Sequence, residues 1–156
     1  MRPSTRTAPA VQTPDSLTGS RTPPRGARIT GSAHIGDHSG PGPEVMAASS
    51  FEAEKVVNSK GEKLGEIEDI MLDVRGGRIA YAVLAVGGLL GIGEKFFAIP
   101  WRALTLDTDN KQFILDVDLD RLKNAPGFDK DHWPAMADQS WASTVHSYYG
   151  IPAYWE

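Results

Sequence analysis

Few side chains in this sequence have the type and spacing that chemistry requires. The histidines are His34, His38, His132 and His146. His132 and His146 lie far apart, with no cysteine in the chain and no histidine partner one helical turn away, so zinc-ligand spacing is missing. His146 follows Ser143 and Thr144, which could suggest a nucleophile pair, but Thr144, two residues away, does not face it on a helix. No Gly-x-Ser-x-Gly elbow is present either, and a hydrolase is not expected. Residues 87–93, Gly-Gly-Leu-Leu-Gly-Ile-Gly, invite comparison with phosphate loops. Such loops present glycine amides at a helix N-terminus and carry a Lys-Ser or Lys-Thr pair. Here a strand-like run follows and the pair is absent. The segment reads either as a hairpin connection or as an apolar tip whose Leu89, Leu90 and Ile92 dock on a partner or another subunit.

Carboxylates are the next candidates. Glu52, Glu54, Glu66, Glu68 and Asp69 could gather on one surface and hold a cation or a basic partner. Asp116, Asp118 and Asp120 alternate, yet the glycine and closing glutamate of a calcium loop are missing. Lys55, Lys60 and Lys63 can neutralise the first group, so a solvated face is the reading. The aromatic tail remains: six of the eight Trp and Tyr residues lie from Trp133 onward. Trp133, Trp141, Tyr148, Tyr149, Tyr154 and Trp155 could stack nucleobases, but that needs a basic surround. They are read as packing over the domain or across an interface. No catalytic residue, cofactor or metal is expected.

Charge divides the chain. Residues 1–45 hold five arginines against Asp15, Asp37 and Glu44, a net of +2, while the remainder holds 11 basic and 17 acidic residues, a net of −6. The two reproduce the overall −4. An acidic body argues against gripping a phosphate backbone, so no direct nucleic-acid contact is expected. Cysteine is absent, and no run of roughly 18 apolar residues exists to span a membrane. The chain is expected to be cytoplasmic.

The elements that position these residues follow from periodicity. Residues 1–45, rich in Pro, Gly, Ser, Thr and Arg, are read as a disordered tail, and Met46 itself begins a stretch that resembles a protein start. Lys55-Val-Val is a short strand, closed by the turn Asn58-Ser-Lys-Gly61. A long strand follows from Leu64 to Val74, in which Ile70, Leu72 and Val74 share one side and Ile67 is out of phase. That slip predicts a β-bulge near Glu68-Asp69. Arg75-Gly-Gly turns the chain into residues 78–86, apolar at nearly every position. Ile79, Tyr81 and Val83 lie on one face, and the smaller Ala80 and Ala82 share the other with Leu84. Lys95 to Ile99 is a strand ended by Pro100. Leu104 to Asp107 and Gln112 to Val117 form a hairpin. Asp118 caps a short helix stopped by Pro126-Gly127, and a second helix from Asp138 places Trp141, Val145 and Tyr149 on one face.

Taken together, the Asn58-to-Gly61 turn, Gly65-x-Ile67-x-Asp69, Asp73 before Gly76-Gly77, the apolar central strand, the glycine-rich loop and Ile99-Pro-Trp101 resemble the PRC-barrel domain family over residues 49–117. The resemblance implies an all-β fold: a small, strongly bent antiparallel barrel of five to six strands, closed on itself. Residues 118–156 then form a short helical, aromatic-rich C-terminal extension. Similar modules occur in the photosynthetic reaction-centre H subunit and in a bacterial ribosome-maturation factor. The membrane helix of the first and the extra N-terminal barrel of the second have no counterpart here. The resemblance is strongest to stand-alone bacterial copies and implies a non-catalytic module that self-associates or docks on a protein partner. A ribosome- or RNA-associated assembly factor and an accessory of photosynthetic or electron-transfer membranes are the alternatives. The residues expected to meet a partner are Leu89, Leu90, Ile92, Trp101, Trp141, Tyr149 and Trp155.

Overall fold

The computed structural model describes residues 26–31, 45–87 and 94–156. Eight strands and two helices run in the order β1 (Arg28–Thr30), β2 (Lys55–Val57), β3 (Lys63–Asp73), β4 (Arg78–Val86), β5 (Lys95–Pro100), β6 (Leu104–Asp107), β7 (Gln112–Leu115), α1 (Leu119–Lys123), β8 (Gly127–Phe128) and α2 (Gln139–Tyr149). The strands form one sheet in the order β1-β6-β7-β2-β3-β4-β5-β8. The fold is all-β with a short C-terminal helical extension. Val56, Ile67, Leu84, Phe97, Leu106 and Phe113, drawn from six strands across that order, meet in a single core. A flat sheet could not bring them together, so the sheet curls around its own face.

Three expectations need correction. The sheet has eight strands rather than five or six, and its end strands do not pair with each other, so the ladder is open rather than closed. Two ladders are parallel, β1 with β6 and β2 with β7. The reading of residues 1–45 as unstructured fails at Arg28–Thr30. These exposed residues are held by backbone bonding: Thr30 O accepts from the Thr108 N–H at 3.0 Å and from its hydroxyl at 3.1 Å. Periodicity reports burial, and this strand buries little. β8 escaped for a similar reason, since its two residues sit at what reads as a helix stop, yet they pair with Phe96 and Phe97.

Other local readings match the structure. Asn58 Oδ1 accepts from the N–H groups of Lys60 and Glu62 at 3.0 and 2.9 Å, which pins the β2–β3 turn. Asp118 caps α1 by accepting from the Arg121 N–H, and Asp138 caps α2 through the Ser140 N–H. The β3–β4 register slips between Ile67 and Asp69, the anticipated bulge, and this returns Ile67 to the core.

β4 divides two cores. Ala82, Leu84 and Val86 face the curled sheet, while Tyr81 and Val83, with Ala80, face a second core with Phe96, Ala98, Phe128, Ala142 and Val145. Strand lengths differ sharply across the sheet. β2 pairs with β3 only from Lys63 to Glu66, and β5 pairs with β4 only from Tyr81 onward. The β3–β4 hairpin therefore overshoots its neighbours as a two-stranded arm. Its turn is made by Gly77 at φ +65°, a left-handed conformation that favours glycine.

Where β3 and β4 run side by side they approach closely. A Cβ on Gly65 would stand 2.4 Å from the Ala85 carbonyl oxygen and 3.0 Å from Leu84 Cδ1. The obstacle is backbone and cannot rotate away. Gly65→Ala is expected to lower unfolding free energy by about 2 kcal/mol in a urea titration. An unchanged midpoint would show that the ladder has slack at this point.

Candidate interaction surface

The arm and the C-terminal layer build one surface. Met71, Leu72, Val74 and Arg75 from the arm, Tyr81 from β4, Met136 before α2 and Tyr154 from the tail line a cleft of about 300 Å³. Leu72 is 62% exposed and Val74 88%, although both are large apolar side chains. They were read as sharing a side with Ile70, which does pack on the core. Leu72 and Val74 lie beyond the point where neighbouring strands can cover them.

One cation ties this surface together. Arg78 Nε donates to Asp73 Oδ2 at 2.8 Å, and its Nη1 donates to the Tyr154 carbonyl oxygen at 2.8 Å. The guanidinium also lies 5.7 Å from the Tyr154 ring centre. Asp73 accepts from the Gly76 N–H as well, and the Arg78 hydrogen bond leads in holding its carboxyl below the usual carboxylate range. Arg78 thus joins the arm's turn to the tail.

Beneath lies an aromatic cluster. The Tyr81 ring centre is 5.6 Å from Trp141, 5.3 Å from His146 and 5.7 Å from Tyr154, and Trp155 stacks edge-on to Tyr154 at 4.9 Å. His146 is 3% exposed. Its Nδ1 lies 2.7 Å from the Ala142 carbonyl oxygen, which can only accept, so Nδ1 carries the proton. Burial pushes the imidazole below its ordinary value of 6.5, outweighing the opposing pull of the Ala142 carbonyl and of Glu156. Burial also raises the Tyr81 and Tyr149 hydroxyls.

The residues expected to meet a partner are placed as follows. Trp101 is half-buried on the first core, packed against Phe51 and Phe113. Trp141 and Trp155 are half-buried on the second core, and Tyr149 packs against both. Leu89, Leu90 and Ile92 lie outside the described residues. Met71, Leu72, Val74, Arg75 and Met136 were missed. The available signal was the mismatch between the eleven- and nine-residue strands of the hairpin and their three- and six-residue outer neighbours. Of the acidic residues, Glu66 is paired with Lys63 at 2.9 Å, and burial raises the Glu54 carboxyl against the pull of Lys111. Among the described residues no group of three or more His, Cys, Asp or Glu is placed to hold a metal ion.

The PRC-barrel domain model matches residues 43–122, which is more than half of the chain. The chain belongs to the PRC-barrel family. The match begins a few residues earlier and ends a few later than the 49–117 read from motifs, so it takes in α1 but not α2. Among solved structures, the chain is similar to a protein assigned as the 16S ribosomal RNA processing protein RimM from Pseudomonas aeruginosa. The two are 20% identical with a TM-score of 0.35, and the likeness covers 48% of this chain and 45% of that one. The chain therefore spans about half the length of that protein. No curated protein matches. No helix among the described residues is long and apolar enough to cross a membrane.

Two outcomes follow from this PRC-barrel's second core. The folded state binds fewer protons at His146 than the unfolded state does. Stability should therefore hold above pH 6.5 and fall as pH drops below it toward the lowered folded value. Thermal melts across that window should show a smaller loss for His146→Phe than for the wild type. The Tyr149 hydroxyl is buried with no hydrogen-bond partner among the described residues. Tyr149→Phe is expected to raise unfolding free energy by about 1 kcal/mol, measured by urea titration.

Proposed function

We propose that this PRC-barrel chain is a non-catalytic protein-interaction module, presenting a rigid surface to a protein partner or a second copy. The observation that carries the reading is the arm, which leaves Leu72 and Val74 in water beside a cleft lined by Met71, Met136 and Tyr154. These side chains contribute little to the fold, and apolar surface gathered at one site is what a partner covers. Methionines line the cleft, and their flexible thioethers adapt to varied shapes.

Chemistry finds less support. The buried Tyr81–His146 contact is long, 3.4 Å, and His146 Nδ1 is engaged by the Ala142 carbonyl. Both rings sit within aromatic packing, and His146 does not line the cleft that Tyr81 borders. The net charge of −6 over residues 46–156 opposes a phosphate backbone. We place the module in the cytoplasm, where a soluble partner or the cytoplasmic part of a membrane protein can reach it.

The test is capture on the immobilised full-length chain from its native cell extract, at low and high salt, beside the double variant Leu72→Ser, Val74→Ser. A defined protein retained at high salt by the wild type and lost by the variant is the expected result. Retained RNA that salt releases steeply would replace this reading with that of an assembly factor acting on RNA. Retention indifferent to the two substitutions would move the docking surface away from the arm.

A further inference from the structure

We infer that the free edge of β3 on the arm pairs antiparallel with the same edge of a second copy, about a two-fold axis at Leu72. This rests on the interaction reading above and names its partner.

Beyond the bulge, residues 69–73 of β3 pair with β4 alone, and no strand lies along their other edge among the described residues. The direction of the backbone groups is fixed by two contacts. The Asp73 carbonyl accepts from the Gly77 N–H at 2.9 Å and so points into its own hairpin. By strand alternation the odd-numbered residues bond toward β4, and Ile70 and Leu72 direct their N–H and C=O groups outward. The Ile70 N–H agrees, donating to the Asp69 carboxylate at 2.8 Å in place of a strand partner.

With the axis at Leu72, Leu72 faces Leu72 of the second copy, and Ile70 and Asp69 are brought against the turn residues Val74 and Arg75 at the end of its hairpin. Ile70 and Leu72 of the strand and Val74 of the turn, from both copies, gather as one apolar patch across the axis, which covers Leu72 and Val74. The odd-numbered face carries the charges. Neither Asp69 nor Arg75 has an ion-pair partner among the described residues, and both are exposed. Each finds its opposite only across the axis, twice in the dimer. A one-residue shift would set inward groups against outward ones, so pattern and hydrogen bonding select the same register.

The chain contains no cysteine, which makes the geometry directly testable. Leu72→Cys in the full-length protein should form a disulfide-linked dimer under mild oxidation much faster than Ser143→Cys on the exposed face of α2, because directly opposed antiparallel residues lie at disulfide distance. By sedimentation the wild type should dimerise. Arg75→Asp should raise the dimer dissociation constant about tenfold, and Asp69→Arg combined with Arg75→Asp should restore it. Equal cross-linking at positions 72 and 143, a wild type that stays monomeric, or no rescue by the double reversal would each overturn the pairing. A monomer that still captures a partner through Leu72 and Val74 would reject self-pairing and leave the interaction reading standing.

Discussion

β4 sets the terms for the rest of the molecule. Its residues from Ala80 to Leu84 are almost wholly removed from water on both faces. A strand buried on both sides needs two covers, because side chains alternate between them. The curled sheet supplies one and closes over Ala82, Leu84 and Val86. The chain after β7 supplies the other, with α2, β8 and the aromatic tail laid over Tyr81 and Val83. The family match ends at residue 122, so most of the second cover lies beyond it. In this chain the C-terminal segment is the other half of the core, and Arg78 fastens its end to the arm.

The arm follows from the same constraint. Coverage of β4 begins at Tyr81, where β5 starts to pair, and coverage of β3 by β2 ends at Glu66. Between those limits no further strand pairs with the hairpin among the described residues. Tyr81 stands at the junction, with Trp141 and His146 on one flank and the open cleft on the other. A rigid aromatic base under a projecting hairpin holds that hairpin in a fixed direction, which is what a docking element requires.

Much of this was legible in the residues themselves. Bulges, caps and turns are written in short-range chemistry: Asn58 closes its own turn, Asp118 and Asp138 cap their helices, and Ile67 slips out of phase where the strand bends. The barrel-like core was legible because alternation reports burial. Pairings that burial does not drive were not. β1 is held by backbone bonds over exposed side chains, and β8 rests on a close approach at Gly127, where a Cβ would meet Lys95 and Phe97 at under 3 Å. Strand order was also hidden, since the parallel β2–β7 neighbours are far apart in sequence and no local signal joins them. The exposure of Leu72 and Val74 was hidden for a related reason. Ile70, Leu72 and Val74 carry one pattern, yet only the lengths of neighbouring strands decide which of the three is covered.

Those lengths also separate this edge from the other ends of the sheet. β1 is three residues long and opens on Arg28, and β8 is two residues long and runs into Asp129, Lys130 and Asp131. Short, charged edges are poor templates for further pairing. At the far edge of the arm, Ile79 and Ala80 share a small hollow with Trp101, Arg102 and Tyr154. The outer edge of residues 69–73 carries Asp69 and Asp73 but has no strand or loop laid along it among the described residues. It is longer than either end strand, contains neither proline nor lysine, and alternates apolar side chains along one face. Asp69 lends a carboxylate to the Ile70 N–H, a local bond that any incoming strand can replace. A fold that blunts its other edges and leaves this one open has concentrated its capacity for strand pairing at a single place. The exposed Leu72 and Val74 lie at that same place, so backbone and side chains favour the same contact.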